Sequence, residues 1–513
     1  MTRRIDEISA GLATARRGAA FNLPLRLHVV GIGGTAATAA ALHAAALGVQ
    51  VSGYDRDLSP ETAHLLTDAG VGISLEGDLE VVRSANLVAA SKAITSTQPD
   101  HPQLQAARAA GLPLISLQQV IADAAATRGG PLLGVAGTHG KTTSTGWLLA
   151  ALRASGRDPS AFVGGPLPEG EGSPAGAPVH LGGEPGFIVE ADEYGGNFDP
   201  YHAHGALILN ADWDHPDIFA DRAAVVRTFV DWAVPVLERG PLVVNVADHG
   251  GSEIAAALQF HDNGNLLTYA VRSQRHAKTD PPFRAEATAD LVESGGGKVA
   301  LQNLTISTRA GTLAPAAAGL LGRKIPIGLL GSHNAANALG VALFAASAGG
   351  SPEGILSAIA NFPGVGRRME VLYDRGGITI LDDYGHHPTA IDATIATVRL
   401  RYPGRPLVLA IEPLTYHRTA ALLQLLARSC AAADQVLVAD IFAVRDTDFS
   451  LTSANALASA IAAHGVAAEA PGSVEATADR IADTLPPGAV VLVMGGGRSN
   501  ELARRLARTL GDR

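Results

Sequence analysis

The strongest chemical signal in the sequence is a glycine-rich heptapeptide, Gly137-Thr138-His139-Gly140-Lys141-Thr142-Thr143. It follows an apolar run and precedes an Ala/Leu-rich stretch, so we predict a strand, a loop and a helix. In such a unit the glycines let backbone N–H groups surround a phosphate, and the helix N-terminus adds its positive dipole. Lys141 is placed to neutralise β- and γ-phosphate charge, and the Thr142 hydroxyl to bind Mg²⁺. The spacing differs from the usual P-loop, because Gly134 lies one residue too far upstream of Gly140.

Two later strands are predicted to end in acidic segments, Val189-Glu190-Ala191-Asp192-Glu193 and Asn210-Ala211-Asp212-Trp213-Asp214-His215. Carboxylates at the carboxyl edge of a parallel sheet are the hard oxygen ligands that a Mg²⁺–ATP site needs. His215 could ligate a second Mg²⁺. A zinc site is the competing interpretation, but no cysteine or regular histidine spacing supports it.

A glycine turn near the N-terminus follows another predicted strand and opens a helix, with Gly31, Gly33 and Gly34. Asp55 closes the second strand, 22 residues beyond Gly33. This arrangement is similar to a dinucleotide fingerprint, and read alone it would indicate NAD. The same turn can hold any nucleotide diphosphate, so both interpretations stay open.

The last third of the chain contains a polar strand–helix junction, Asp382-Asp383-Tyr384-Gly385-His386-His387-Pro388. Proline is favoured in the first turn of a helix. Paired acids, an aromatic ring and paired histidines at such a junction predict a functional site. A histidine–zinc site is the alternative, although further ligands are missing. Arg367 and Arg368, read by themselves, predict a surface pair.

These candidate sites must be positioned by β-rich runs that alternate with helical stretches, which predicts an α/β fold with mostly parallel sheets. The runs form three blocks, and we predict domains at 1–129, 130–365 and 366–513. Within the second block, a small β insertion is expected between Tyr269 and Ser307, with a turn at 295–297. The Pro/Gly-rich segment 166–186 is expected to be a flexible loop outside the core.

Composition narrows the possible partners. The 513 residues are 47% hydrophobic and carry a net charge of −10 without a basic tract, which argues against nucleic acid as the main partner. The single cysteine, Cys430, is expected to be structural and fits a reducing compartment. No signal peptide or membrane-spanning run is predicted. We therefore expect a cytoplasmic protein with no membrane partner.

The order of these motifs resembles that of the Mur ligase family, the peptidoglycan-precursor amide ligases, from about Leu27 to Met494. The motifs are GIGG, SGYD, GTHGKTT, EADE, a DH pair, GSHNAANALG, FPGVGRRME, DDYGHHPT and EPLTYHRT. The resemblance implies an N-terminal Rossmann-like domain that binds a UDP-linked substrate, a central ATP-binding domain and a C-terminal Rossmann-like domain. It also implies ATP and Mg²⁺ as cofactors.

The resemblance further implies a role for individual residues. The ATP-binding positions would be Gly137, Thr138, His139, Gly140, Lys141, Thr142, Thr143, Asn334, Asn337, Arg368 and Asp383. The UDP-substrate positions would be Gly31, Gly33, Gly34, Asp55 and His139, and the amino-acid positions Tyr384, His386 and Arg418. The metal ligands would be Thr142, Glu190 and His215, and the catalytic residues Lys141, Arg368 and His386.

Within the family, the motifs are similar to those of members that add L-alanine to UDP-N-acetylmuramate through an acyl phosphate. A ligase that recycles whole tripeptides onto UDP-N-acetylmuramate is the alternative, because EADE continues as Tyr194-Gly195 and ALILNADWDHPDIF is similar to that type. An NAD-dependent oxidoreductase would leave Lys141 and Glu190 without a role. No lysine lies between Lys141 and Lys278, so the carbamylated lysine of many Mur ligases is absent. We expect a monomer or a weak homodimer.

Overall fold

The computed structural model describes residues 5–170, 172–272, 283–307, 317–444, 446 and 448–511. Three sheets follow one another along the chain, with five, ten and six strands. Helices lie between most successive parallel strands, so the predicted α/β fold class is confirmed. Across the described ranges, no helix combines the length and the apolar character needed to cross a membrane.

The first sheet is parallel throughout, in the order β3-β2-β1-β4-β5. Its strands are β1 (Arg26–Val30), β2 (Gln50–Tyr54), β3 (Gly72–Ile73), β4 (Leu87–Ala90) and β5 (Leu114–Ser116). Its helices are α1 (Ile5–Ile8), α2 (Thr35–Ala46), α3 (Pro60–Asp68), α4 (Leu79–Arg83), α5 (Lys92–Thr97), α6 (Pro102–Ala109) and α7 (Leu117–Arg128). Strand β1 is central and buried because helices cover both faces of the sheet. The glycine turn that follows β1 therefore lies at the middle of the sheet edge.

The second sheet has the order β15-β14-β13-β12-β11-β10-β6-β9-β7-β8. Its first strands are β6 (Leu132–Ala136), β7 (Pro159–Phe162), β8 (Val179–His180), β9 (Glu184–Ala191) and β10 (Gly205–Ile208). The later ones are β11 (Leu242–Asn245), β12 (Leu266–Arg272), β13 (Ala287–Ser294), β14 (Lys298–Ile306) and β15 (Ile325–Ile327). Its helices are α8 (Lys141–Ala154), α9 (Arg222–Leu237), α10 (His249–Leu258), α11 (Ser332–Ser347) and α12 (Pro352–Asn361).

Strand order in the second sheet explains why its motifs meet. Strand β6 pairs in parallel with β9 on one side and with β10 on the other. The glycine-rich loop after β6 is therefore flanked by the two acidic segments that follow β9 and β10. Helix α8 begins at Lys141, immediately after that loop.

Two expectations for the second block have different outcomes. The β insertion is confirmed, because β13 and β14 form an antiparallel hairpin around the turn at Gly295–Gly297. The expectation that segment 166–186 lies outside the core was wrong. Its end forms β8, which pairs with β7, and Val179 is fully buried. His180 joins this core because Ser173 and Asp158 satisfy its two ring nitrogens.

The third sheet has the order β16-β17-β21-β18-β19-β20, and only the edge strand β16 is antiparallel. Its strands are β16 (Glu370–Arg375), β17 (Ile378–Asp383), β18 (Leu407–Glu412), β19 (Gln435–Ala439), β20 (Ala467–Gly472) and β21 (Val490–Gly495). Its helices are α13 (Pro388–Arg401), α14 (Tyr416–Ala421), α15 (Leu423–Cys430), α16 (Ala454–Ala462), α17 (Val474–Thr484) and α18 (Ser499–Gly511). The junctions β17–α13 and β18–α14 lie at the carboxyl edge, where they face the second sheet. Cys430 is buried in this core.

Candidate active site

The glycine-rich loop 137–143, which we expect to bind phosphate, is held in place by a residue that follows the neighbouring strand β10. Asn210, which follows β10, accepts the His139 N–H at 2.8 Å and donates its side-chain amide to the His139 carbonyl at 3.0 Å. Gly140 has a φ of 80°, and a Cβ atom there would lie 2.8 Å from the Asn337 side chain. The left-handed turn therefore requires glycine, and it directs the first N–H groups of α8 out of the sheet edge. Asn210 was not among the predicted site residues, although it lies two positions before Asp212 at the start of the acidic segment.

Lys141 lies at the centre of this edge and is surrounded by acids. Its ammonium nitrogen is 3.1 Å from the Glu193 carboxylate and 3.3 Å from that of Asp192. Burial alone would lower the pKa of Lys141, but the carboxylates of Glu193, Asp192 and Glu190 together raise it. The side chain is therefore a fixed positive charge beside the loop that would receive phosphate groups.

Thr142 connects the Glu190 carboxylate, a candidate metal ligand, with Arg368 of the third domain. Its hydroxyl donates to Glu190 at 3.1 Å and accepts from the Arg368 guanidinium at 3.2 Å. The other Glu190 oxygen accepts the Gly164 N–H at 2.7 Å. Burial raises the pKa of Glu190, although Lys141 opposes that shift. A hydroxyl and a carboxylate in contact at a loop for phosphate are suitable ligands for Mg²⁺.

The three metal ligands suggested by the sequence separate into two groups. Thr142 and Glu190 form one group, whereas His215 lies with Asp192 and Glu193, all ligand atoms being within 4.8 Å of one another. Burial raises the pKa of Glu193 to about 7. The second group has two carboxylates and one histidine, which fits a divalent cation that prefers oxygen ligands. Asp192 and Glu193 should therefore be added to the candidate metal ligands.

A further cluster, His139, Asp212 and His387, joins the second and third domains. The two histidine rings lie 4.6 Å apart, and Asp212 is 3.6 Å from His139. Asp212 also accepts the Thr389 hydroxyl at 2.6 Å, while His387 Nδ1 accepts the Thr389 N–H at 3.3 Å and so caps helix α13. Because Thr389 engages two of these groups, we regard the cluster as an interdomain contact rather than a zinc site.

The glycine turn that follows β1 is held by the carboxylate that follows strand β2. Asp55 accepts the Gly33 N–H at 2.9 Å. Gly31 has a φ of 81°, and a Cβ atom there would lie 2.3 Å from Ile94. A cleft of about 880 Å³ reaches from Gly33 on this turn to Arg368 on the third domain. All three domains therefore contribute to one continuous cleft.

Arg367 and Arg368 are not the surface pair that their sequence alone suggested. Arg367 donates to Asp382 at 3.2 Å and to the Gly495 carbonyl at 2.9 Å, within the third domain. Arg368 instead reaches Thr142 of the second domain. Both guanidinium groups lie over the Tyr384 ring, 5.0 and 5.2 Å from its centre. The Tyr384 ring thus helps to hold both guanidinium groups in position.

The remaining predicted nucleotide residues lie on helix α11 and at the end of strand β17. Asn337 is buried next to Gly140, and Asn334 donates to the Leu330 carbonyl at 2.7 Å at the start of α11. Asp383 accepts the Met369 N–H at 2.9 Å and the Gly385 N–H at 2.7 Å. Both oxygens of Asp383 therefore already have backbone donors in this arrangement.

His386 and Arg418 approach the site from the third domain. His386 Nδ1 lies 3.0 Å from the Tyr384 carbonyl, which can only accept, so Nδ1 carries the proton and Nε2 keeps its lone pair. Burial, followed by the charge of Arg418, lowers the pKa of His386 well below its usual value. The ring is therefore neutral at pH 7 and can accept a proton only weakly.

The geometry predicts that Gly164→Ala will weaken metal binding. A Cβ atom at this position would lie 2.4 to 2.6 Å from the Glu190 carboxylate. The carboxylate would have to move, and displacing a metal ligand in this way costs about tenfold or more in metal affinity. We expect the Mg²⁺ concentration for half-maximal occupancy of the candidate metal site, measured by calorimetry, to rise by that factor. Gly295→Ala, where no atom lies within 4 Å, is the matched control. Identical Mg²⁺ curves for the two variants would remove Glu190 from the metal site.

Comparison with known proteins agrees with this architecture. Three stretches of the chain match domains of one family: residues 26–128 the catalytic domain of the Mur ligase family, 135–345 the Mur ligase middle domain, and 367–497 the Mur ligase glutamate ligase domain. A UDP-N-acetylmuramate–L-alanine ligase from Chloroflexus aggregans is 33% identical over 93% of this chain and 96% of the relative. One from Acidithiobacillus ferrooxidans is 34% identical over 95% and 98%.

Solved structures share the fold. The UDP-N-acetylmuramate–alanine ligase of Thermotoga maritima superposes with a TM-score of 0.74 at 20% identity, covering 95% of this chain and 99% of that one. A murein peptide ligase from Psychrobacter arcticus gives a TM-score of 0.69 at 23% identity, with the same coverage. With sequence relatives matched over nearly their whole length, this chain belongs to the Mur ligase family.

Proposed function

We propose that this protein is an ATP-dependent ligase that joins L-alanine to UDP-N-acetylmuramate and releases ADP and phosphate, a step of peptidoglycan precursor synthesis. The observation that carries the proposal is the contact of Arg368 with Thr142 and of Thr142 with Glu190. These contacts bring together a guanidinium group of the third domain, the glycine-rich loop that would bind phosphate, and a carboxylate that could bind a metal ion. The names of the relatives that match nearly the whole chain support the choice of substrates.

In the first step, a carboxylate oxygen of the UDP-linked donor attacks the γ-phosphorus of ATP. The bond to the β–γ bridging oxygen breaks, ADP leaves, and an acyl phosphate forms. Lys141 begins helix α8 and Arg368 contacts the adjacent Thr142, so both cations can stabilise the charge of the transferring phosphoryl group. Thr142 and Glu190 would hold one Mg²⁺ and the group around His215 a second, and these ions would neutralise further phosphate charge.

In the second step, the uncharged amine of the acceptor attacks the acyl carbon, and phosphate leaves with the former carboxylate oxygen. The amine must lose one proton as the amide forms. His386 Nε2 has the free lone pair to accept it, and solvent is the other acceptor. Tyr384, His386 and Arg418 form the proposed acceptor site. Closure of the domains around the cleft would keep water away from the acyl phosphate.

The other roles follow the same proposal. The glycine turn with Asp55 and His139 would hold the UDP-linked donor, while Asn334 and Asn337 would contact adenine and Asp383 the ribose.

One sheet lies in each of the proposed domains, 1–129, 130–365 and 366–513. The buried Cys430 fits the proposed cytoplasmic location. The oligomeric state remains a prediction, a monomer or a weak homodimer.

The test is ADP release with UDP-N-acetylmuramate and a panel of acceptors: L-alanine, L-serine, glycine and the tripeptide L-Ala-D-Glu-diaminopimelate. We expect L-alanine to give the highest kcat/KM and a product whose mass equals the sum of donor and acceptor minus water. Preference for the tripeptide would favour the recycling ligase. ADP release that required a nicotinamide cofactor, or no release with any acceptor, would contradict the proposal.

A further inference from the structure

A single 3₁₀ turn, Tyr194–Gly196, directly follows the acidic segment after β9. Its middle residue, Gly195, has a φ of 55°. A Cβ atom on Gly195 would lie 3.7 Å from a side-chain atom of Ile8 and 3.7 Å from one of Lys92. Both of these residues belong to the first domain. Side chains of the first domain therefore contact a turn that begins immediately after Glu193 of the second domain.

The turn adjoins one of the two candidate cation sites. The first cation site consists of Thr142 and Glu190, and the second consists of Asp192, Glu193 and His215. Asn197, which follows the turn, donates its side-chain amide to Asp192 at 2.9 Å. The Tyr194 ring lies 4.9 Å from the His215 ring. A shift of the turn would therefore move ligands of the second cation site.

Lys92 holds this turn by a hydrogen bond that joins the two domains. Its ammonium group donates to the Gly195 carbonyl at 2.5 Å, across 103 positions of sequence. Lys92 begins helix α5, and the Ser91 side chain caps that helix. Burial lowers the pKa of Lys92 to about 8, while the carboxylates of Asp199 and Asp192 oppose the shift. The side chain is therefore mostly protonated at pH 7, and its position is fixed by a capped helix.

The same helix lies against the glycine turn that would hold the UDP-linked donor. A Cβ atom on Gly31 would lie 2.3 Å from Ile94, which is two residues after Lys92 in α5. The six residues of α5 thus contact the glycine turn through Ile94 and the turn 194–196 through Lys92. One short element supports both the donor turn and the second cation site.

The chain before β1 contacts the turn 194–196 as well. This segment precedes the stretch that matches the Mur ligase family, which begins at residue 26. Ile8 is fully buried, and its carbonyl accepts the Thr95 hydroxyl of α5 at 2.7 Å. Farther along, Arg16 donates to both oxygens of Asp123 at 2.8 Å. The segment is therefore fixed to the first domain, and Ile8 packs beside Gly195 from there.

We propose that Lys92 and Ile8 are positioning residues for the second cation site. From the first domain they hold the turn 194–196, and this turn fixes the carboxylates of Asp192 and Glu193. Groups that stand behind metal ligands in this way orient them and raise the affinity for the ion. The inference rests on the proposed ligase function, in which this cation neutralises phosphate charge. It makes the donor-binding domain a part of the cation site.

The first test is Lys92→Met, with Mn²⁺ binding to the full-length protein followed by electron paramagnetic resonance of the free ion. Mn²⁺ replaces Mg²⁺ as the probe because both ions prefer oxygen ligands. We expect Mn²⁺ affinity at the second cation site to fall about tenfold, and affinity at the first to change less than about twofold. Lys324→Met, at an exposed position, is the control and should bind Mn²⁺ normally.

The sign of this change separates positioning from electrostatics. Loss of a nearby positive charge would by itself strengthen cation binding. Unchanged or tighter Mn²⁺ binding by Lys92→Met would therefore overturn the positioning role. Lys92→Gln is also uncharged but still has an N–H group to donate to Gly195. It should bind Mn²⁺ more tightly than Lys92→Met does, and equal affinities of the two variants would count against the hydrogen bond.

The second test is Ile8→Ala, which leaves every charge in place. We expect it to weaken the second cation site by a factor similar to that of Lys92→Met. Ile115→Ala removes the same atoms at a buried position in β5 and is the matched control. Gly164→Ala, which displaces Glu190, should instead weaken the first cation site. Equal weakening of both sites by Ile8→Ala would indicate a general loss of structure and would overturn the role of Ile8.

The outcome for the cation site is distinguishable from the outcome for the ligase function. If Ile8→Ala does not fold in thermal unfolding experiments, the comparison of Lys92→Met with Lys92→Gln decides the proposal. An unaltered protein that binds no Mn²⁺ at the second cation site would overturn the proposal whatever its ligase activity. Selective weakening in the variants, combined with no ADP release by the unaltered protein, would support the positioning role and contradict the ligase function.

Discussion

Lys141→Met is expected to lower kcat for ADP formation by at least about a thousandfold, because a buried cation that stabilises the transferring phosphoryl group would be lost. The ammonium group lies between the acidic segment after β9 and the loop before α8, within 3.3 Å of two carboxylates. Removing it leaves Glu193 buried without its cation. The Glu193 carboxyl should then bind a proton near neutral pH, since burial already raises its pKa to about 7 with Lys141 present.

The matched control is Lys298→Met, which removes an exposed lysine at the start of β14. It should retain the kcat of the unaltered protein. Lys141→Arg keeps the charge with a different shape, and it separates loss of charge from loss of fold. A Lys141→Met protein that unfolds at the usual temperature and forms ADP at the usual rate would contradict the proposed role of Lys141.

The second large effect is expected for Arg368→Met, with a fall in kcat of about a hundredfold to a thousandfold. Arg368 reaches from the third domain to the end of the glycine-rich loop, where it lies 3.2 Å from the Thr142 hydroxyl. Its charge would act on the phosphoryl group only when the domains are closed, so kcat should fall far more than the affinity for ATP. Measuring kcat together with ATP binding by calorimetry separates these quantities.

Arg368→Lys should recover only part of the activity, because lysine cannot donate in the planar geometry of a guanidinium. Arg375→Met, at an exposed position at the end of β16 in the same domain, is the control. An Arg368→Met protein with normal kcat would show that the contact with Thr142 has no catalytic role.

The fold class, and the meeting of the glycine-rich loop with the acidic segments at one sheet edge, could be predicted from the sequence because these physical signals are local. Glycines before a helix and acids after apolar strands place Lys141 and Glu190 at one edge of a parallel sheet. The short strand β3 and the antiparallel edge strand β16 were not predicted, since two residues at Gly72–Ile73 give no pattern and β16 is mostly exposed. Local signals thus find central strands more readily than edge strands.

Contacts between distant residues could not be predicted in this way. Asn210 supports the His139 backbone across neighbouring strands, and Arg418 pairs with Asp214 from another domain. Such pairs depend on how whole domains pack, and nothing in the neighbouring sequence specifies the partner. The error on segment 166–186 has a related cause, because prolines and glycines indicate turns but do not exclude a short strand such as Val179–His180.

The most direct test of the acyl-phosphate ligase follows the oxygen atoms of the donor. UDP-N-acetylmuramate with ¹⁸O in its carboxylate is incubated with ATP, Mg²⁺, L-alanine and the protein, and the released phosphate is analysed by mass spectrometry. The mechanism predicts that one ¹⁸O atom passes from the carboxylate to the phosphate for each amide formed. Amide formation with no ¹⁸O in the phosphate would contradict the proposed mechanism.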